Sequence, residues 1–324
     1  MGTLFSIGEV LIDFIPQQKG VALKNVLSFE RAPGGAPANV AAAVAKFGGR
    51  SALISKLGID AFGDFLLDEL NRAGVETGYI LRTKDANTGL AFVSLTESGE
   101  RDFSFYRNPS ADLLLTAEEI DSGWFGPGDI LHFCSVDLVE SPMKQAHKKA
   151  IQTVMENKGL VSFDPNVRLP LWESPQACRE AIREFLPLAH IVKVSDEELE
   201  FITGESTVDA GISALFVGNV KAVVFTKGAE GAEIYLKNTK HASKGYSVQV
   251  EDTTGAGDAF IGGFLYKLLE RKAVPGNLEA ILQEHYADIL AFANGSGALA
   301  TTGKGAISSL PTKERVLNLV VNKK

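Results

Sequence analysis

Apolar residues along the chain fall into short runs with two different spacings. Leu4-Phe5-Ser6-Ile7-Gly8-Glu9-Val10-Leu11-Ile12-Asp13 is nearly continuous and predicts a buried strand ending at Asp13, and residues 26–30 predict a short second one. Gly34-Gly35 then opens an alanine-rich helix with Pro37 in its first turn, where the missing N–H is not needed. A strand at 50–57 and an amphipathic helix at 64–73, stopped by Gly74, follow. Segments 89–95 and 101–106 alternate in polarity around Glu97-Ser98-Gly99-Glu100 and predict an antiparallel hairpin. From residue 130 the alternation is regular. Strands at 130–135, 160–164, 191–194 and 222–226 are separated by helices at 142–157, 175–186 and 196–203. Two more strands, 233–236 and 246–251, precede helices at 259–271, 278–300 and 313–322.

Strands alternating with helices predict an α/β fold: one mostly parallel central sheet covered on both faces, a three-layer sandwich. The 324 residues suit a single domain. The hairpin interrupts the series and reads as a small β-strand lid, inserted at about 12–33 and 88–110, rather than as a second domain.

Charge and composition narrow the partners. A formal net charge of −8 argues against nucleic acid or an anionic membrane as the main partner, since both reward positive surface. It leaves room for an anionic ligand in a local pocket. No apolar run is long enough to span a membrane, and no basic segment precedes an apolar one at the start, so neither membrane span nor signal peptide is expected. Cys134 and Cys178 form no CxxC, which fits a reducing cytoplasm and gives no zinc motif. His132, His147, His190, His241 and His285 are scattered without ligand spacing.

The stretch carrying the most chemistry is Asp252-Thr253-Thr254-Gly255-Ala256-Gly257-Asp258-Ala259-Phe260. Small residues at a helix start let a phosphate approach unpaired N–H groups. An acid at the mouth of such a hole would repel the phosphate unless it handles a proton, which makes Asp258 a candidate base. The same residues also read as a capped helix start after a glycine turn. There is no G-x-x-x-x-G-K-[ST], the dinucleotide fingerprint fails because Phe260 stands where its third glycine should be, and no G-x-S-x-G elbow occurs.

Gly34-Gly35-Ala36-Pro37-Ala38-Asn39 with Gly48 and Gly58, and the run from Asp252 to Asp258, resemble the two signatures of the ribokinase/PfkB carbohydrate kinase family. Residues 105–112, 163–172 and 193–198 resemble its fructokinase branch, and the resemblance covers 7–311. It implies the ribokinase-like fold and an ATP-dependent kinase that phosphorylates the primary 6-hydroxyl of D-fructose. Another sugar (2-keto-3-deoxygluconate, ribose or a riboside) and a catalytically silent sensor are the alternatives.

Carried over, the resemblance makes Asp258 the base and Gly255, Ala256 and Gly257 the donors to the transferring phosphate. Asp13, Gly34, Gly35, Asn39 and Phe105 would meet the sugar, with Arg107 and Arg168 closing over the sugar or phosphate. Lys193, Ser195, Glu198, Thr226, Lys227, Gly228, Gly231 and Asn294 would line the ATP groove. The family commonly has Asn where Ser195 stands, within an N-x-x-E pattern tied to Mg²⁺ and phosphate, and only Glu198 of that pair matches. Mg²⁺ would be held largely by ATP and water. A monovalent cation, K⁺, would sit among Asp252, Thr254, Ala300, Gly303, Gly305 and Ser309. The apolar face of the lid suggests a homodimer formed through it.

Overall fold

The structure, a computed structural model, describes residues 2–18, 20–95 and 101–322. The long apolar run at the start is not one strand. β1 (Thr3–Ile7) ends at Gly8, whose φ of 144° turns the chain where a Cβ would lie 2.6 Å from Pro37 Cγ, and β2 (Leu11–Pro16) leaves for a second sheet. The strand expected at 26–30 is a 3₁₀ turn at Leu23–Asn25 followed by β3 (Phe29–Gly34).

Next come α1 (Ala36–Lys46), β4 (Arg50–Gly58), α2 (Ala61–Ala73), β5 (Ile80–Thr83), β6 (Leu90–Leu95) and β7 (Arg101–Tyr106). The regular alternation then runs β8 (Ile130–Cys134), α3 (Pro142–Glu156), β9 (Leu160–Asp164), α4 (Pro175–Phe185), β10 (Ile191–Ser195), α5 (Asp196–Thr203) and α6 (Val208–Ala214). β11 (Ala222–Thr226), β12 (Gly231–Tyr235), β13 (Lys240–Lys244), α7 (Ala256–Glu270), α8 (Leu278–Ala300), α9 (Ala306–Ser309) and α10 (Lys313–Asn322) complete it.

Nine strands form the main sheet in the order β13-β12-β11-β10-β9-β8-β1-β4-β5, and four form the smaller sheet in the order β3-β2-β6-β7. The main sheet is parallel except at β12, which pairs antiparallel with both β11 and β13. Its central strands are apolar on both faces because both faces are covered. Leu4, Leu53 and Leu57 pack with α1, α2, α7 and α8, whereas Phe5, Ile7, Ala52 and Ile54 pack with α3, α4 and α5. The alanines of α1 let α7 come close: a Cβ on Gly262 would lie 2.6 Å from Ala43 Cβ.

In the smaller sheet β6 and β7 pair antiparallel, Leu90 with Tyr106 through Ala91 with Phe105 and onward, as the hairpin pattern requires. The turn at Glu97-Ser98-Gly99-Glu100 lies outside the described residues. Phe14, Phe29 and Phe92 cluster on one face of this sheet and Phe14 reaches Phe62 of α2, which covers these rings inside the chain, while Tyr106 stays exposed.

The strand expected at 246–251 does not form. Tyr246, Val248 and Val250 alternate as a strand would, yet they face a cavity, and the ladder beside β12 is filled by β13, whose Lys-His-Ala-Ser-Lys sequence carries almost no apolar signal. β5 and α6 were equally silent in the pattern, being short and half exposed.

Candidate active site

Two cavities open at the C-terminal ends of the parallel strands, where open α/β sheets bind ligands. The chain builds outward from β1 to β4 and β5, then returns to place β8 on the other side of β1, and the smaller cavity, of 380 Å³, lies beside this switch. Glu9, from the chain after β1, and Val136, from the chain after β8, both line it. The larger, of 1020 Å³, lies over β10, β11 and β12. Lys193, Ser195, Glu197, Thr253, Ala256 and Gly257 line both, so the cavities meet at the first turn of α7.

Asp258 stands at that junction and is buried. Asn39 Nδ2, from the first turns of α1, donates to its Oδ2 at 2.8 Å, and Asn166 Nδ2 donates to Oδ1 at 3.3 Å. Burial raises the Asp258 pKa above the ordinary aspartate value, against the bond from Asn39 and the charges of Arg168 and Lys193, which lower it. A carboxylate so placed is a stronger base than a solvated one yet still ionisable.

The helix start behind it is built for a close approach. Gly255 has φ 72°, and a Cβ there would lie 2.8 Å from Ala306 Cβ. The N–H of Ala256, expected to face the ligand, is turned back to the Thr253 carbonyl at 3.2 Å. Among the described residues the N–H groups of Gly257 and Asp258 have no protein acceptor, as the first turn of a helix dictates. Lys193 Nζ adds a charge: it is paired with Asp164 at 3.1 Å and lies 3.6 Å from where a Cβ on Gly257 would be. Burial works against its ammonium, but Asp164, Glu198 and Asp258 outweigh that and hold its pKa above the usual lysine value.

Asp13, Gly35, Asn39, Phe105 and Arg168 line the smaller cavity together with Asp258. Gly34 lies behind Asp13: a Cβ there would come within 2.1 Å of Asp13 Oδ2, so its contribution is room for that carboxylate. Arg107 is the clear departure from the sugar-closing position expected of it. It lines neither cavity but is sealed behind the smaller one, its guanidinium bonded to Asp112 and Asp137. Glu9 joins this buried group and uses its Oε1 to accept the first N–H of α1, from Ala36, at 2.8 Å.

Thr226, Lys227, Gly228, Gly231 and Asn294 line the larger cavity. Asn294 Nδ2 donates to the carbonyls of Ser243 and Lys244, fixing the turn after β13. Tyr246, Val248, Val250 and Phe260 give this cavity the apolar wall that an aromatic ring prefers. The first three were hidden in sequence because their alternation imitates a strand.

Glu198 ties the cavities together. Its Oε1 accepts the N–H of Val167 at 2.8 Å and its Oε2 accepts the N–H and hydroxyl of Ser195, each at 3.0 Å. These donors and Lys193 overcome the effect of burial and lower its pKa. Asn166, a buried residue of the smaller cavity, lies outside both signature motifs. The one local signal was an asparagine following proline at a strand end, where αL backbone is tolerated, and its φ is 44°.

Asp252 braces two loops. Its Oδ1 accepts from the N–H and hydroxyl of Thr254, and its Oδ2 accepts from Gly305 N at 3.0 Å. Gly303 lies against Ser309, and Ala300 is buried at the end of α8. These six residues line neither cavity except for Thr254, in the smaller one. Among the described residues no cluster of three or more His, Cys, Asp or Glu side chains could hold a metal ion, and no helix is long and apolar enough to cross a membrane.

The model of the pfkB family carbohydrate kinases matches residues 1–313. Fructokinase-2 of Solanum habrochaites is 43% identical over 320 residues, 98% of this chain and 96% of that protein. A fructokinase of Xylella fastidiosa with bound ATP superposes with a TM-score of 0.89 at 35% identity, covering 99% of this chain and 98% of that one. A fructokinase of Vibrio cholerae O395 in a form with fructose, ADP and calcium ion gives 0.88 at 37% identity, covering 99% of each chain.

Proposed function

The chain belongs to the pfkB family of carbohydrate kinases and is a sugar kinase, and from that premise we propose that it transfers the γ-phosphoryl group of ATP to the 6-hydroxyl of D-fructose. The observation that carries this reading is the buried carboxylate of Asp258, which lines the smaller cavity next to Gly257, one of the residues shared by the two cavities. The relatives named fructokinase support the sugar.

Phosphoryl transfer asks mainly for alignment and charge stabilisation. Fructose occupies the smaller cavity against Asp13, Gly35 and Asn39, with ATP in the larger. Asp258 takes the proton of the 6-hydroxyl as that oxygen bonds to the γ-phosphorus, and the bond to the bridging oxygen of ADP breaks. The free N–H groups of Gly257 and Asp258, the ammonium of Lys193 and the guanidinium of Arg168 at the cavity mouth oppose the charge that spreads over the transferring group.

Mg²⁺ fits as a guest of the nucleotide. Both oxygens of Glu198 are already engaged, which leaves exposed Glu197, lining both cavities, as the carboxylate for the hydration shell of the ion. When bound, the ion shields phosphate charge. A monovalent cation suits backbone carbonyls of the two loops that Asp252 braces, since the Asp252 carboxylate is itself engaged by N–H and hydroxyl donors.

Leu27 and Tyr106, 86% and 63% exposed on the lid, support a homodimer formed through the smaller sheet, which a sedimentation mass at micromolar concentration checks. The two buried free thiols suit the cytoplasm.

The test is ADP release measured over a panel of sugars. Fructose is expected to give the highest kcat/KM, and Asp258→Asn to fold normally while losing roughly 10²–10⁴-fold in kcat. An active Asp258→Asn protein refutes the mechanism, and a wild type that prefers ribose or 2-keto-3-deoxygluconate refutes the sugar.

A further inference from the structure

Asp258 is the acid of a pair of asparagines as well as of a helix start, and only one of its two amide partners came from the signature motifs. Asn39 Nδ2 binds Oδ2 at 2.8 Å, and Asn166 Nδ2 faces Oδ1 at 3.3 Å. We propose that Asn166 is the positioning residue of the catalytic base: donating to one lone pair of Oδ1, opposite the Asn39 bond to Oδ2, it fixes the plane of the Asp258 carboxylate and leaves the second lone pair of Oδ1, the more loosely held oxygen, to take the proton of the sugar hydroxyl. This rests on the kinase reading above and deepens it.

The segment that carries Asn166 is pinned on both sides. The carbonyl of Pro165 accepts from Ser135 N at 3.1 Å, and the N–H of Val167 donates to Glu198 Oε1 at 2.8 Å. Between these anchors Asn166 takes a left-handed backbone, φ 44°, that turns its side chain into the buried junction. A long or β-branched side chain is strained there, and asparagine is among the residues that tolerate it. An amide is also the neutral group that can donate to a carboxylate without neutralising it, as an ammonium would, or repelling it, as an acid would. Anchoring through Glu198 means that the orientation of the base is set from the nucleotide side as well, because the same carboxylate binds Ser195.

Proton balance follows simply. The hydroxyl proton moves to Asp258 Oδ1 while its oxygen bonds to phosphorus, and it leaves to solvent after product departs. Donation from Asn166 stabilises the ionised form of the base, so its loss makes Asp258 hold its proton to higher pH. The other charged or titratable groups facing Asp258 are Lys193 from β10, Arg168 from the same loop, Asp164 at the end of β9 and Cys134 at the end of β8. All of these groups remain in the chain when position 166 is changed.

Two variants test it. Asn166→Gly keeps the left-handed backbone and removes the amide, and Asn166→Asp keeps the shape and reverses the electrostatics. The Asp258 carboxyl is followed by ¹³C NMR with aspartate labelled at Cγ, its signal assigned as the one absent from Asp258→Asn, alongside kcat against pH with fructose. In both variants the Asp258 titration and the acid limb of kcat are expected to move to higher pH, further in Asn166→Asp. In Asn166→Gly kcat at neutral pH falls by roughly 10- to 100-fold with the KM for ATP unchanged. An Asp258 titration that stays in place in both folded variants overturns the proposal, whether or not kcat falls. Failure of the kinase reading looks different: the wild type then releases no ADP with fructose, while the NMR titration still decides what Asn166 does.

Discussion

Arg107→Met separates a structural role from a substrate-binding one. The Arg107 side chain is 4% exposed, and Asp112 and Asp137, to which its guanidinium is bonded, are 1% exposed each. Glu9 adds a third carboxyl to the group. Methionine fills most of the volume, so the main loss is the one cation that, among the described residues, faces three buried acids, and breaking a buried pair in this way costs about 3–5 kcal/mol. The penalty depends on pH with a definite sign. Burial pushes Asp137 up to about 7 and Glu9 well above its usual range even with Arg107 present, and without Arg107 both rise further. An acid whose pKa is raised by folding stabilises the fold below its unfolded pKa and loses that contribution as pH rises through the folded value. The deficit of the variant is therefore smaller at pH 5 than at pH 8. Urea unfolding at both pH values, with ADP release per folded molecule, is the assay. Expected are a large loss of stability at pH 8, partial recovery at pH 5, and a kcat for folded molecules near the wild type. Wild-type stability with a collapsed kcat or a large rise in the fructose KM would refute the reasoning and return Arg107 to the sugar.

Other expectations concern the helix start, its supports and its base. The raised Asp258 pKa places the acid limb of the wild-type kcat profile above the ordinary aspartate value, activity falling as pH drops and the base takes its proton; a profile limited only below that value argues against Asp258 as base. Gly262→Leu drives a side chain into Ala43 across the α1–α7 contact, where a Cβ already comes within 2.6 Å, and should destabilise by about 1–3 kcal/mol in thermal unfolding; no change would mean the helices are free to separate. Asp252→Ala releases Thr254 and Gly305 together, and is expected to lower kcat and alter the response to K⁺ in the ADP assay while leaving the fructose KM near wild type. A kcat unaffected by that change would show that the brace between the loops is dispensable.

Much of the architecture was legible in the chain. Apolar runs on both faces of β8, β9, β10 and β11 could only belong to a sheet covered on two sides, and the Gly-Ala-Gly-Asp start of α7 announced its helix while leaving a capped helix start and an anion site both open. The failures share a cause. β13 is nearly devoid of apolar residues because it is an exposed edge, so its pairing comes from backbone hydrogen bonds that leave no trace in side-chain type. Tyr246, Val248 and Val250 carry a strand's alternation for a different purpose, lining a cavity.

The sequence by itself determined the layer order, the glycine turn ahead of α7 and the identity of the acid at its mouth, because periodicity, backbone freedom and charge are local properties. Only the tertiary structure decided which residues attend that acid. Asn39 and Asn166 are 219 and 92 residues away from Asp258, and no local rule joins them to it. Arg107 and Arg168 are both arginines next to candidate sugar residues, yet one is sealed against Asp112 and Asp137 and the other stands exposed at the cavity mouth. What separates them is whether folding surrounds the charge with carboxylates or with water, and that depends on contacts made across the whole chain.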